Sequence, residues 1–154
     1  KKDVVKGFLE GLLLGLVLSI IGTGLWLVYG DYVVSAAEIE RKFGIFTFPA
    51  SKPMEMFCYK LSTFYPDMKK IALIGKKNGR NETRFEELKN ALGKQYDTVL
   101  ISGDRENLEE CRQLAGADAV VIISETEKSR YREIRNMVAM ADEWKKNVAG
   151  IINI

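Results

Sequence analysis

The chain has 154 residues, with 23 lysines and arginines against 21 aspartates and glutamates, a formal net charge of +2, and no histidine. The absence of histidine excludes Ser-His-Asp and Cys-His catalytic pairs, a histidine general base and histidine metal ligands, and two cysteines (Cys58 and Cys111) build neither a four-thiolate zinc site nor a disulfide framework. Charges of both signs, gathered into no basic run, give no case for a nucleic-acid partner.

The apolar residues are concentrated at the N-terminus. From Gly11 to Tyr29 the sequence carries no charge. With Phe8 and Leu9 the stretch reaches about 22 residues, enough at about 1.5 Å per residue to cross roughly 30 Å of hydrocarbon. Trp26 and Tyr29 fall near its far end, where amphipathic rings favour the headgroup layer. No small-residue cleavage site follows, which argues against a signal peptide. The first segment, 1–30, is therefore expected to be a transmembrane helix and its flank. Glu10 is expected to pair with Lys6 one turn back. Gly7, Gly11 and Gly15 form two overlapping small-xxx-small steps on one helix face, which predicts self-association in the membrane. Lys1, Lys2 and Lys6 precede the span, while Arg41 and Lys42 follow at a distance. Lysine and arginine counts alone favour an inside N-terminal flank, a rule without force if a large translocated domain precedes Lys1.

Residues 31–68 read as a juxtamembrane adaptor. Asp31 to Phe43 has a helical pattern, with Ser35 as N-cap and Glu38 three residues on, and Gly44 ends it. Ile45 to Pro49 reads as a short extended piece halted by proline, Ala50 to Pro53 as a linker, and Met54 to Phe64 as a further helix. Ile39, Phe43, Ile45, Phe46 and Phe48 are too apolar a set to leave in water, so this segment is expected to pack on the domain that follows.

From residue 69 to 154, short apolar runs alternate with amphipathic helices. Strands are expected at Ile71–Ile74, Thr98–Ile101, Ala119–Ile123 and Val148–Ile152. Helices are expected at Glu82–Leu92, Asn107–Leu114 and Thr126–Lys145, the last with Ile134, Met137, Val138, Ala141 and Trp144 on one face. This pattern predicts an α/β domain: a four-stranded parallel sheet with helices on both faces, in a P-loop-like or Rossmann-like three-layer arrangement, strand order second, first, third, fourth.

Ligands of such sheets bind at the carboxyl ends of the strands. The loop after the first strand, Gly75-Lys76-Lys77-Asn78-Gly79-Arg80-Asn81-Glu82-Thr83, is basic, carries two glycines and leads into a helix. A phosphate loop requires G-x-x-x-x-G-K-[ST], and here Arg80 stands where the second glycine belongs, with no Lys-Ser or Lys-Thr pair after Gly79. That pattern therefore provides no lysine on the β- and γ-phosphates and no hydroxyl on magnesium; Thr83 is near, but Glu82 beside it repels phosphate. The second strand ends in Ser102-Gly103 where a metal-orienting aspartate belongs, with Asp104 displaced by two residues. Gly75, Lys76, Lys77, Gly79, Arg80 and Thr83 thus mark a degenerate phosphate-loop position, and Ser102 and Asp104 a degenerate Walker B position. No catalytic residue, metal or cofactor is expected.

Several segments, in order, carry a resemblance. They are the Gly- and Leu-rich span; Asp31 to Glu40 with Phe43-Gly44-Ile45-Phe46 and Pro49; Glu55 to Leu61; Tyr96 to Ile101; Ala117 to Ile123; Ser129 to Trp144; and Val148 to Asn153. Together the chain resembles the second membrane helix and cytoplasmic region of bacterial polysaccharide co-polymerases, the chain-length determinant proteins, with their fused or partnered tyrosine kinase domain. The departures all point one way. The kinase's phosphate-loop lysine has no equivalent, Ser102 replaces the Walker B aspartate, and the interval between the first two strands is too short for the strand bearing the family's other acidic motif. Cys58 and Leu61 stand where the ring-packing helix has arginines, and no tyrosine-rich tail follows Ile154.

The resemblance implies an inner-membrane protein with a cytoplasmic C-terminal domain, acting in capsule or exopolysaccharide chain-length control or export. That domain would be a pseudokinase-like docking module, not an enzyme, and its partners the polysaccharide polymerase and export machinery or a tyrosine kinase. The alternative is a divergent nucleotide-binding protein or tyrosine kinase that retains phosphate binding at the Gly75–Thr83 loop.

Overall fold

Helix α1 (Lys2–Tyr29) opens the structure, a computed structural model that describes residues 1–33, 35–49, 51–76, 81–126 and 128–154, and of Leu27 the backbone alone. The chain divides into two units, Lys1–Tyr32 and Val33–Ile154. Within Lys2–Trp26 an 18-residue window reaches a mean hydropathy of 2.1, so α1 is long and apolar enough to cross a membrane. Lys6 and Glu10 form the expected pair at 3.9 Å. Gly7, Gly11 and Gly15 share a face, and apart from the adjoining residues and the helix's own backbone no described atom lies within 4 Å of where a Cβ would stand on any of them.

The second unit is α/β. Its elements run α2 (Ala36–Phe43), β1 (Thr47–Pro49), α3 (Met54–Phe64), β2 (Lys70–Ile74), α4 (Glu82–Gly93), β3 (Asp97–Ile101), α5 (Leu108–Ala115), β4 (Ala119–Ser124), α6 (Tyr131–Glu143) and β5 (Asn147–Asn153). Local chemistry sets several of the boundaries. The Ser35 hydroxyl accepts the Glu38 N–H at 3.3 Å, so α2 starts at Ala36 rather than at Asp31. Gly44 closes it in the left-handed region at φ 65° and donates its N–H to the Glu40 carbonyl. The Asn107 amide oxygen caps α5 on the N–H groups of Glu109 and Glu110.

All five strands are parallel, in the order β1-β5-β4-β2-β3. Four strands lie in the expected order, but the sheet has five and not four. The additional one is β1, from the piece read as merely extended. It pairs with β5 through Thr47↔Ile151, Phe48↔Ile152 and Pro49↔Asn153. Proline is tolerated there because β1 is an edge strand and ends at it. Burial fixes the strand in place: Phe48 is 2% exposed, with its ring centroid 5.3 Å from that of Phe57. Of the adaptor's other apolar residues, Ile39 is fully buried, while Phe43, Ile45 and Phe46 are half-buried against the core.

Both faces of the sheet are apolar, which explains the unbroken hydrophobic runs of its central strands. Ala72 and Ile74 of β2 and Val120 and Ile122 of β4 face a layer built from α2, α5 and α6. Ile71 and Leu73, with Val121 and Ile123, face α3 and α4. The last helix begins at Tyr131, five residues later than expected. The chain before it turns instead, with the Ser129 N–H on the Glu125 carbonyl and the Thr126 N–H on that of Ile154. Trp144 is the C-cap of α6 and remains 40% exposed, so it does not extend the buried face as the spacing suggested.

Candidate functional site

The β2 strand pairs with β3 on one side and β4 on the other, so the direction of winding reverses between β2 and β4. In open parallel sheets the crevice outside the carboxyl ends at such a reversal is the place for a ligand. Here it is a cleft of about 150 Å³ whose polar lining includes Lys76, Asn81, Ser124, Glu125, Lys128 and Glu133. Lys76 and Glu133 also line a neighbouring hollow of about 120 Å³, which Ser102 and Gly103 border.

Gly75 leads β2 into the cleft. Its N–H donates to the Ile101 carbonyl at 3.0 Å, continuing the sheet ladder. A Cβ on it would stand 3.0 Å from the Ile123 Cβ and 3.0 Å from the Phe85 ring. The glycine thus lets α4 and β4 approach the end of β2 closely, and its N–H is directed into the sheet, away from any anion. Lys76 follows, its Nζ 3.5 Å from Glu133 Oε1 in the first turn of α6. Lys128 pairs with the Glu125 carboxylate, and Asn81, 4% exposed, donates to the Lys76 carbonyl at 3.2 Å and to Glu125 Oε2 at 3.3 Å. Behind them the buried Ser124 hydroxyl donates to Asn153 Oδ1 at 3.0 Å, and Asn153 Nδ2 donates to the Thr126 hydroxyl at 2.9 Å. Among the described lining residues, two ammonium groups are therefore matched by two carboxylates.

The expected site residues do not all meet. Gly75 and Lys76 lie at the cleft. Thr83 points away, lining a separate groove of about 720 Å³ with Arg84 and Met54. Lys77, Gly79 and Arg80 lie outside the described residues. At the end of β3, both the N–H and the hydroxyl of Ser102 bond Glu110, at 3.0 and 2.9 Å. Asp104 accepts the Glu106 N–H at 3.0 Å in a local turn. Among the described residues no group of three or more acidic or thiol side chains is placed to hold a metal ion.

Glu125, Lys128, Glu133 and Asn81 are the residues that sequence reasoning missed. Lys128 lies in the stretch read as helix and Glu125 just before it; both belong to a turn at the carboxyl end of β4. The signal was available in Ser124-Glu125-Thr126, a polar break directly after an apolar run, at the position where parallel sheets present ligand-facing groups. At the opposite end of the sheet Asp118 Oδ2 accepts the N–H groups of Lys69 and Lys70 at 2.8 and 2.9 Å. Those bonds, Lys70 foremost, hold its carboxyl below the usual aspartate range. Burial pushes the Cys58 thiol up, and the Glu55 carboxylate adds to the effect.

Comparison with known proteins finds no matching family model, no matching curated protein and no matching solved structure.

Proposed function

We propose that the chain is a membrane-anchored component of cell-surface polysaccharide chain-length control or export, whose α/β unit is a docking module rather than an enzyme. The observation that carries the non-catalytic part is the end of β2. Where a phosphate loop would offer a backbone N–H, Gly75 donates to Ile101, and the next residue, Lys76, pairs with Glu133. The polysaccharide part rests on the order of segments that resembles the co-polymerases, headed by a helix apolar enough to span a membrane. In this reading α1 lies in the bacterial inner membrane and Val33–Ile154 on the cytoplasmic side. The α1 helices self-associate along the Gly7, Gly11 and Gly15 face, and the docking partner is the polymerase and export machinery or a tyrosine kinase.

The test is thermal unfolding of the protein in detergent, with and without ATP and magnesium. A nucleotide at a hundred times its dissociation constant would stabilise by about 2.7 kcal/mol; no rise is expected, nor any phosphotyrosine. A rise, or phosphotyrosine lost on changing Lys76 or Lys77, would support instead a divergent nucleotide-binding protein or kinase. Deletion in the source organism is expected to alter the length distribution of its surface polysaccharide, and an unchanged distribution would remove the polysaccharide assignment.

A further inference from the structure

The two ion pairs of the cleft have a common geometry. Each lysine comes from a segment that follows a strand's carboxyl end, Lys76 after β2 and Lys128 after β4. Each is paired with a carboxylate that lines the same cleft. Glu133 sits in the first turn of α6, where the helix dipole favours negative charge. Glu125 follows β4 directly at the reversal point, fixed by the Asn81 amide on its Oε2 and by its own N–H, which donates to the Ser129 hydroxyl at 2.8 Å. The Glu125 side chain is 17% exposed and that of Glu133 33%, so neither is a freely solvated surface acid. Both line one cleft of about 150 Å³, the volume of a small ligand.

We infer that this cleft is a self-ligated oxyanion site: the Glu125 and Glu133 carboxylates act as built-in anions on Lys128 and Lys76, holding it closed to phosphate-bearing ligands. This deepens the non-catalytic reading and rests on it. Among the described lining residues the site keeps two lysines that an oxyanion needs, and two carboxylates cancel the charge that would draw one in. Neutralising them while keeping their shape therefore opens the site. In Glu125→Gln the amide oxygen still accepts from Asn81, so the wall of the cleft is retained.

The experiment follows thermal unfolding of the full chain in detergent with inorganic pyrophosphate as probe, against sodium chloride at matched ionic strength. The wild type is expected to show no specific rise. E125Q/E133Q is expected to gain about 3 °C or more at saturation, and E133Q alone a smaller rise, which keeps the test open if the double variant folds poorly. Adding K76M/K128M to the double variant is expected to abolish the gain. Flat curves for both glutamine variants would overturn the inference, as would a gain that survives loss of the lysines or equal binding by the wild type. Failure here is separable from failure of the non-catalytic reading. The latter is decided by ATP and magnesium on the wild type, and a wild type silent to ATP with silent glutamine variants removes only the self-ligated site.

Discussion

Asp118 shows how one side chain ties two strands together and sets a pH dependence. Its carboxylate takes the N–H groups of Lys69 and Lys70 at the start of β2, while its own N–H donates to the Lys70 carbonyl at 2.8 Å. The folded carboxyl is held below the ordinary range by those donors, so the native state favours the ionised form. The stabilisation is then fully present above the unfolded value of about 3.9 and is lost as pH falls through the lower folded value. Asp118→Asn is expected to lower stability most above about pH 4 and least in strong acid, which flattens the acid limb of a urea-stability profile. An acid limb identical to wild type would show that the two N–H groups do not discriminate between the charge states. Gly75 gives the second prediction at this scale. Gly75→Ala places a methyl 3.0 Å from the Ile123 Cβ, an atom that cannot withdraw without moving β4. Overpacking of this kind costs about 1–3 kcal/mol, read as a lower urea midpoint at unchanged slope. Unchanged stability would mean that the close approach at the end of β2 is slack.

At the scale of elements, β1 is the shortest strand and one of the most consequential. Its largest buried side chain is Phe48, whose ring packs against Phe57 of α3, with Phe46 beside both. Phe48→Ala should therefore cost as much as a central core truncation, about 3–5 kcal/mol, measured by denaturant unfolding. A loss near that of a surface substitution, about 0.5 kcal/mol or less, would show β1 to be a loosely held edge. The strand also marks where sequence reading stopped. The central strands were legible because both faces are apolar, so Ile71–Ile74 and Ala119–Ile123 stand out as unbroken runs. A three-residue edge strand ending in proline has no periodicity to read, and only its pairing with β5 identifies it. The cleft was half legible for a related reason. Gly75 and Lys76 belong to a local motif, whereas Glu125 and Glu133 join them only through the β2–β4 pairing, across about 50 residues that no local pattern spans. Helical spacing carried back to Thr126 hid the turn that presents Glu125.

Across the whole molecule, two units meet the solvent in opposite ways. Val33–Ile154 holds its own core on both sheet faces, from Ile39 and Phe48 through to Ile152. The α1 helix, in which an 18-residue window reaches a mean hydropathy of 2.1, carries Leu12, Leu13, Leu14, Ile20 and Ile21 each at least half exposed. Side chains of that size gain roughly 1.5–3 kcal/mol each on leaving water, so the helix favours lipid or a second apolar surface over water. The fragment 33–154 has no such debt. It is expected to stay monodisperse without detergent and to unfold in one cooperative step, since the unit that orders the backbone is also the unit that buries the apolar area. The full chain is expected to partition into lipid vesicles and to resist alkaline carbonate extraction, as a spanning helix does and a peripheral one does not. Two outcomes would break this division: aggregation or a broad, non-cooperative transition of 33–154, which would make α1 part of the fold, or release of the full chain by carbonate. Retention of 33–154 on vesicles would place a further membrane contact in the α/β unit, with the exposed Met56, Tyr59 and Phe64 of α3 the first side chains to change.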